Sequence, residues 1–247
     1  IAKIFIKKKT DKGDFYFADV ELKEINILHE LQSVIPEILK EYSWKKSMKW
    51  ASYDLNWGRP LKGIAAVFNN KIVDFIFYHL KSSNIILVND ETENKTKKVN
   101  NFKSYLQFIK SQNIILDQES RKNIILNKMK KIFISENLKD EFNEKLLEEV
   151  VNLVEKPNVI LAKFDENYLK IPKEILIITM QKHQKYFPTF DKKNKLTNLF
   201  IFVANLPDKK KYIKKGNEKV IDARLSDARF FWEKNKKQSL VKQISKL

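Results

Sequence analysis

Apolar residues recur along this chain first at a period of two, then at helical spacing, then at a period of two again. Short hairpins are therefore expected to alternate with amphipathic helices. Residues 1–8 alternate apolar and basic, DKGD at 11–14 supplies a turn through Gly13, and residues 15–20 form the return strand. Across residues 22–42 the spacing of Ile25, Ile27, Leu28, Leu31, Ile35, Ile38 and Leu39 predicts a helix that Pro36 kinks or divides. Residues 64–68 and 71–78 read as strands joined tightly at Asn69 and Asn70, since asparagine tolerates positive φ. A third short strand is expected at 85–88, and the polar stretch 90–101 reads as a surface loop.

Helical periodicity returns at residues 102–111, 118–134 and 140–154. The last of these places Phe142, Leu146, Leu147, Val150, Val151 and Val154 on one face and acidic residues on the other. A strand is expected at 159–164, a helix behind Pro172, and a hairpin from 186–190 and 199–203 around the DKKN turn at 191–194. Gly216 and Asn217 are expected to open a long helix ending near Lys236, with Val220, Ile221, Leu225, Ala228, Phe231 and Trp232 as its apolar face. Antiparallel hairpins mixed with helices predict an α+β fold that ends in a long basic helix. The domain boundary is expected near residues 48–60, giving an N-terminal hairpin plus helix over 1–50 and an α+β core over 51–247.

Composition narrows the picture. At 43% apolar and 32% charged residues, 247 residues suffice for one large or two smaller folded domains. No run approaches the roughly 20 apolar residues of a membrane span, so no membrane partner is expected. The chain opens at Ile1 and is expected to be part of a longer protein. The absence of cysteine removes disulfides and thiolate metal sites and fits a reducing cytoplasm. The net charge of +17 is uneven: residues 181–247 hold 18 Lys and Arg against 6 Asp and Glu, whereas residues 136–155 hold 2 against 7. A basic C-terminal portion points to a polyanion, most often nucleic acid.

Candidate chemistry is sparse. Four glycines cannot build a phosphate-binding loop, and His29, His79 and His183 lack the spacing of a zinc site. His183 has no carboxylate or nucleophile near it in sequence, so no catalytic residue is expected. Tryptophan and lysine interleave at 44–50 and Trp57 follows; these rings either stack on bases or pack at a domain seam. Arginine is only 4 of 48 basic residues, so Arg224 and Arg229 look chosen for a planar fork. They serve either ion pairs, as in Arg224 with Asp227, or phosphate contact. Lys209–Lys211, Lys214 and Lys215, ahead of the expected helix start, fit phosphate tracking at a helix N-terminus.

The run from LLEEVVNLVEKPNVILAKFDENYLKIPKEILIITMQKHQKYFPTF through FIFVAN to GNEKVIDARLSDARFFWE resembles the beta-subunit family of the heterotetrameric bacterial glycyl-tRNA synthetases. KSMKW at 46–50 and GRP at 58–60 occur in that family's order. The chain departs from the family pattern at Lys49, at Lys62 and Gly63, and over residues 91–98. The resemblance implies a tRNA-binding, non-catalytic part of glycine–tRNA ligase, with ATP and Mg2+ used on a separate alpha subunit in an alpha2beta2 assembly. No cofactor is expected in this chain itself. Glycine tRNA is the expected RNA, with Lys182, Lys185, Lys214, Lys215, Asn217 and Arg229 as contacts. Tyr186, Arg224, Asp227, Phe231 and Trp232 are expected to be architectural. The alternative is a protein–protein scaffold that never touches RNA.

Overall fold

The computed structural model describes residues 4–19, 25–89 and 94–237. The expectations that fall on residues 1–3, 20–24 and 90–93 therefore lie outside the described residues. Two compact units make up the chain, Ile1–Phe108 and Ile109–Leu247. The boundary expected at 50/51 falls within the first of them. Both units mix helices with small sheets, so the fold is α+β and it ends in a long helix.

In the first unit β1 (Ile4–Thr10) and β2 (Gly13–Asp19) form the expected hairpin, closed at Thr10 opposite Gly13, whose φ of +123° suits glycine. Helix α1 (Ile27–Glu41) starts where the Asn26 side chain accepts from the His29 amide. Pro36 sits inside it without dividing it. Leu28, Leu31, Ile35 and Leu39 pack on a core of Leu55, Val73, Phe75 and Phe77.

Small strands follow: β3 (Ile64–Ala65), β4 (Val67–Phe68), β5 (Lys71–Ile72), β6 (Ile76–Phe77) and β7 (Leu80–Ser83). Asn69 and Asn70 carry φ of 45° and 61°, as the tight β4–β5 turn requires. The expected strand over 71–78 is interrupted for a physical reason. The buried Ser82 hydroxyl accepts from Phe75 N at 2.8 Å and donates to Val73 O at 2.7 Å, doing there what a neighbouring strand would do. β7 is one element that the hydrophobic pattern did not show, and it pairs parallel with β3. β8 (Ile85–Asn89) pairs antiparallel with β9 (Asn94–Lys98), so the described part of the expected 90–101 loop is largely strand. Backbone pairing with β8 overrides the low β-propensity of its lysine and asparagine.

Helix α2 (Phe102–Ser111) leads into the second unit. There β10 (Asn158–Lys163), β12 (Leu196–Ala204) and β11 (Phe187–Phe190) form an antiparallel sheet in the order β10-β12-β11. Helices α3 (Gln118–Ser135) and α4 (Glu144–Leu153) cover one face, burying Phe187 and Ile201 with Ile125, Met129, Leu147 and Val151. α4 begins later than the expected residue 140 because the Asn143 side chain caps it by accepting from Leu146 N. The other face buries Ala162, Phe200 and Phe202 beneath α5 (Lys173–Ile178) and α6 (Tyr212–Lys236). Because both faces of β12 are covered, its apolar residues run continuously from Leu199 to Ala204 instead of alternating.

Candidate nucleic-acid interface

The start of α6 is set by Asp208. Its carboxylate oxygens accept from Ile213 N at 3.0 Å and Lys214 N at 2.8 Å, and Lys211 enters the helix with φ +57°. The helix therefore opens at Tyr212, four residues before the expected Gly216. This also bears on the phosphate contact expected at the helix start. The Ile213 and Lys214 amides are occupied by Asp208, so they are not a backbone cradle for phosphate. What remains is side-chain charge: Lys209, Lys210, Lys211, Lys214 and Lys215 lie within seven residues. Among the described residues none of these five ammonium groups is ion-paired to a carboxylate. The positive end of the α6 dipole lies beneath them and adds to the attraction for anions.

A second group of the expected contacts comes together one turn further along. Helix α5 continues as a π-helical turn, Thr179–His183, which leaves Lys182 and His183 exposed. Lys185 follows in the left-handed conformation at φ 59°, and Tyr186 N returns to Met180 O at 3.0 Å. Tyr186 is buried, with its ring 4.9 Å from that of Phe200. Its hydroxyl donates to Asn217 Oδ1, and Asn217 Nδ2 donates to Ile213 O. Burial pushes the Tyr186 hydroxyl up to about 12. Lys185, Tyr186 and Asn217 line one cavity of about 440 Å3 whose apolar wall includes Val150, Val154 and Phe202. Lys185 is not a free cation, because its Nζ lies 2.5 Å from Glu149 Oε2.

Arg229 lies away from that cavity, with its guanidinium carbon 5.2 Å from the centre of the Tyr168 ring. Tyr168 in turn donates to Asp222 O at 3.3 Å. Its hydroxyl pKa is raised, first by burial and then by Asp222. The buried side of α6 is carried by Ile221 and Leu225, with Ile213 and Trp232 partly buried beside them. Phe231 is 57% exposed and Val220 42%, so neither belongs to the apolar face expected from spacing. Arg224 and Asp227 are both exposed and form no ion pair among the described residues. Asp208, Glu149 and Phe202 were not anticipated; only Asp208, an Asx residue ahead of a helix, carried a sequence signal.

The described residues gather no three His, Cys, Asp or Glu side chains that could hold a metal ion, and no helix among them is long and apolar enough to cross a membrane. The sequence model of the glycyl-tRNA synthetase beta subunit family matches residues 1–247, and the chain belongs to that family. It is 37% identical over 234 residues to the glycine–tRNA ligase beta subunit of Rickettsia akari (strain Hartford), a match covering 94% of this chain and 35% of that protein. It is 36% identical over 236 residues to the beta subunit of Rickettsia felis (strain ATCC VR-1525 / URRWXCal2), covering 94% and 36%. The same identity holds over 234 residues with the beta subunit of Rickettsia canadensis (strain McKiel), covering 94% and 35%. The chain thus spans about a third of the length of these relatives.

Proposed function

We propose that this chain is the tRNA-binding, non-catalytic part of a glycine–tRNA ligase acting in protein biosynthesis in the cytoplasm. ATP and Mg2+ are used on a partner alpha subunit, in an alpha2beta2 assembly, to activate glycine and transfer it to its tRNA. The observation that carries RNA binding is the cluster of five lysines from Lys209 to Lys215, none of which is ion-paired to a carboxylate among the described residues. Five like charges within seven residues repel one another, and that repulsion is relieved when a polyanion binds. A phosphate backbone supplies the missing anions and releases its counterions on binding. Lys182 and the edges of the Arg229 guanidinium add exposed donors on the same unit.

The test is the affinity of the full-length protein for glycine tRNA and for a non-cognate tRNA, measured from about 50 to 200 mM salt. Measurable binding with a steep salt slope supports the reading, and a cognate preference places identity reading in the same chain. No binding at the low-salt end by folded protein overturns it. A scaffold role has one observation in its favour: Phe230 and Phe231, 61% and 57% exposed, stand side by side on α6 as a partner-docking surface would. Charge-reversed lysines that keep tRNA affinity but lose the alpha subunit would select that reading.

A further inference from the structure

The first unit carries a second cavity, of about 200 Å3, which the lysine cluster does not account for. Tyr42, Trp44, Trp57 and Tyr78 contribute its aromatic walls, and Ser47, Asp54 and Asn56 its polar ones. The rings are tilted against one another instead of stacked shut. Trp44 lies 4.9 Å from Tyr42 at 51° and 5.0 Å from Trp57 at 60°. Ring surface stays open to solvent, with Tyr42 59%, Trp44 39% and Tyr78 49% exposed. The loop between the tryptophans is nevertheless held firmly. Met48 and Trp57 exchange backbone hydrogen bonds of 2.9 and 3.2 Å, and Lys49 pairs with Asp54 at 3.2 Å.

Tyr78 gives an independent reason to assign a role here. Phe77 pairs with Leu80, so Tyr78 and His79 form a two-residue turn, and Tyr78 sits there at φ +53°. Such a position is the natural place for glycine or asparagine, and a bulky aromatic in it is strained. A turn that gives up local stability to present an aromatic ring at a cavity is what a binding site demands.

Size and charge select the ligand. The cavity is smaller than the roughly 300–1,000 Å3 that enclose a drug-sized molecule, and it suits one flat ring system. Aromatic walls with a carboxylate also suit a cation. Here, however, residues 40–59 hold five basic side chains, Lys40, Lys45, Lys46, Lys49 and Arg59, against Glu41 and Asp54. That surface disfavours a cation and favours a ring attached to phosphates. We infer that the Tyr42–Trp44–Trp57–Tyr78 cavity receives an unpaired nucleobase of bound RNA, stacked on the aromatic rings, with Ser47 and Asn56 at its hydrogen-bonding edge and the surrounding lysines on the flanking phosphates. This rests on the RNA-binding reading above and adds a base-dependent component to it.

The experiment measures the affinity of the full-length protein for a short single-stranded oligoribonucleotide and for an abasic oligomer of the same length, with tRNA binding measured in parallel. The base-containing oligomer is expected to bind about tenfold more tightly, the size of one base–aromatic stack. Trp44→Ala removes that preference, and Trp44→Phe retains most of it. Tyr78→Asn relaxes the turn, so it is expected to raise the unfolding midpoint while lowering the base preference, a combination that a purely structural tyrosine does not give. Equal affinity for the two oligomers, or a preference that survives both Trp44→Ala and Tyr78→Asn, overturns the inference. If tRNA still binds with its salt slope, only the base pocket has failed; if tRNA does not bind at all, the RNA-binding reading has failed with it.

Discussion

The Tyr186 hydroxyl donates a 2.5 Å hydrogen bond to Asn217 Oδ1 and so joins the turn before β11 to the second turn of α6. Asn217 passes the constraint on, because its Nδ2 donates to Ile213 O at 2.8 Å. The same Ile213 gives its amide to Asp208. Tyr186, Asn217, Ile213 and Asp208 therefore form a chain of bonds from the buried sheet to the segment bearing the lysine cluster. An expected RNA contact, Asn217, has its amide oxygen and one of its amide N–H groups engaged in holding that segment in place.

This relation makes stability depend on pH at the alkaline end. Burial raises the Tyr186 pKa from 10 to about 12, so between these values the folded protein holds a proton that the unfolded chain has lost. The contribution is fully present below pH 10 and is lost as pH rises toward 12. It amounts to at most about 2–3 kcal/mol. Denaturant unfolding followed across that window is expected to show a fall in stability that Tyr186→Phe flattens. An equal slope in both proteins would place the titration elsewhere. At neutral pH the Phe variant is expected to cost about 1–3 kcal/mol, because Asn217 Oδ1 loses its donor.

Charge reversal at Lys214 and Lys215 probes the cluster without touching the chain of bonds. Of Lys214 only the backbone N–H is used by Asp208, and among the described residues no carboxylate pairs with either ammonium. Lys214→Glu with Lys215→Glu is expected to leave the unfolding midpoint within experimental error. It should weaken tRNA binding at least about tenfold and lower the salt slope by about two. The effect should be nearly uniform across tRNA sequences, since phosphate contacts position without specifying. An unchanged slope would remove these lysines from the interface.

Much of this architecture was legible in the sequence, and the exceptions have physical causes. Helix α2 runs over the expected residues because its pattern is strongly periodic, and α3 starts where expected, ending one residue late, because Asp117 caps it by accepting from Ser120 N. The Asn69–Asn70 turn and the β11–β12 hairpin were readable from turn chemistry. β7 was not, because its neighbours β3 and β6 are set by tertiary pairing rather than by alternation within Leu80–Ser83. Phe231 was assigned inward by spacing, yet Ile221, Leu225 and Trp232 already fill the side of α6 that meets the sheet. For the candidate site, residue types identified the lysines but not their state. That Lys185 is paired while, among the described residues, the five lysines of 209–215 are not depends on where Glu149 and Asp208 lie in space.

Trp44 packs against Gly58 so closely that a Cβ built there would stand 2.7 Å from Trp44 Cε3. Gly58→Ala must therefore push the indole out of its place beside Trp57. Overpacking of this kind costs about 1–3 kcal/mol. The variant is expected to lower the unfolding midpoint and to shift the tryptophan emission, with the far-UV circular dichroism unchanged. An unshifted emission would mean that Trp44 has room to yield.

Arg121 answers a question that the scarcity of arginine raises. Only 9% exposed, it donates Nε to Val151 O at 3.0 Å and Nη1 to Ile115 O at 2.7 Å and Leu116 O at 2.8 Å. These are carbonyls of the last turn of α4 and of the loop that enters α3, which helix formation leaves without partners. A lysine has one nitrogen at this depth and cannot span the three acceptors with a planar fork. Arg121→Met keeps comparable bulk and removes every donor, so it is expected to destabilise the protein by about 2–4 kcal/mol. Arg121→Lys should recover only a minor part of that loss. Denaturant titration of the three proteins decides the point: full recovery by lysine would show that charge, not the geometry of the fork, holds α3 to α4.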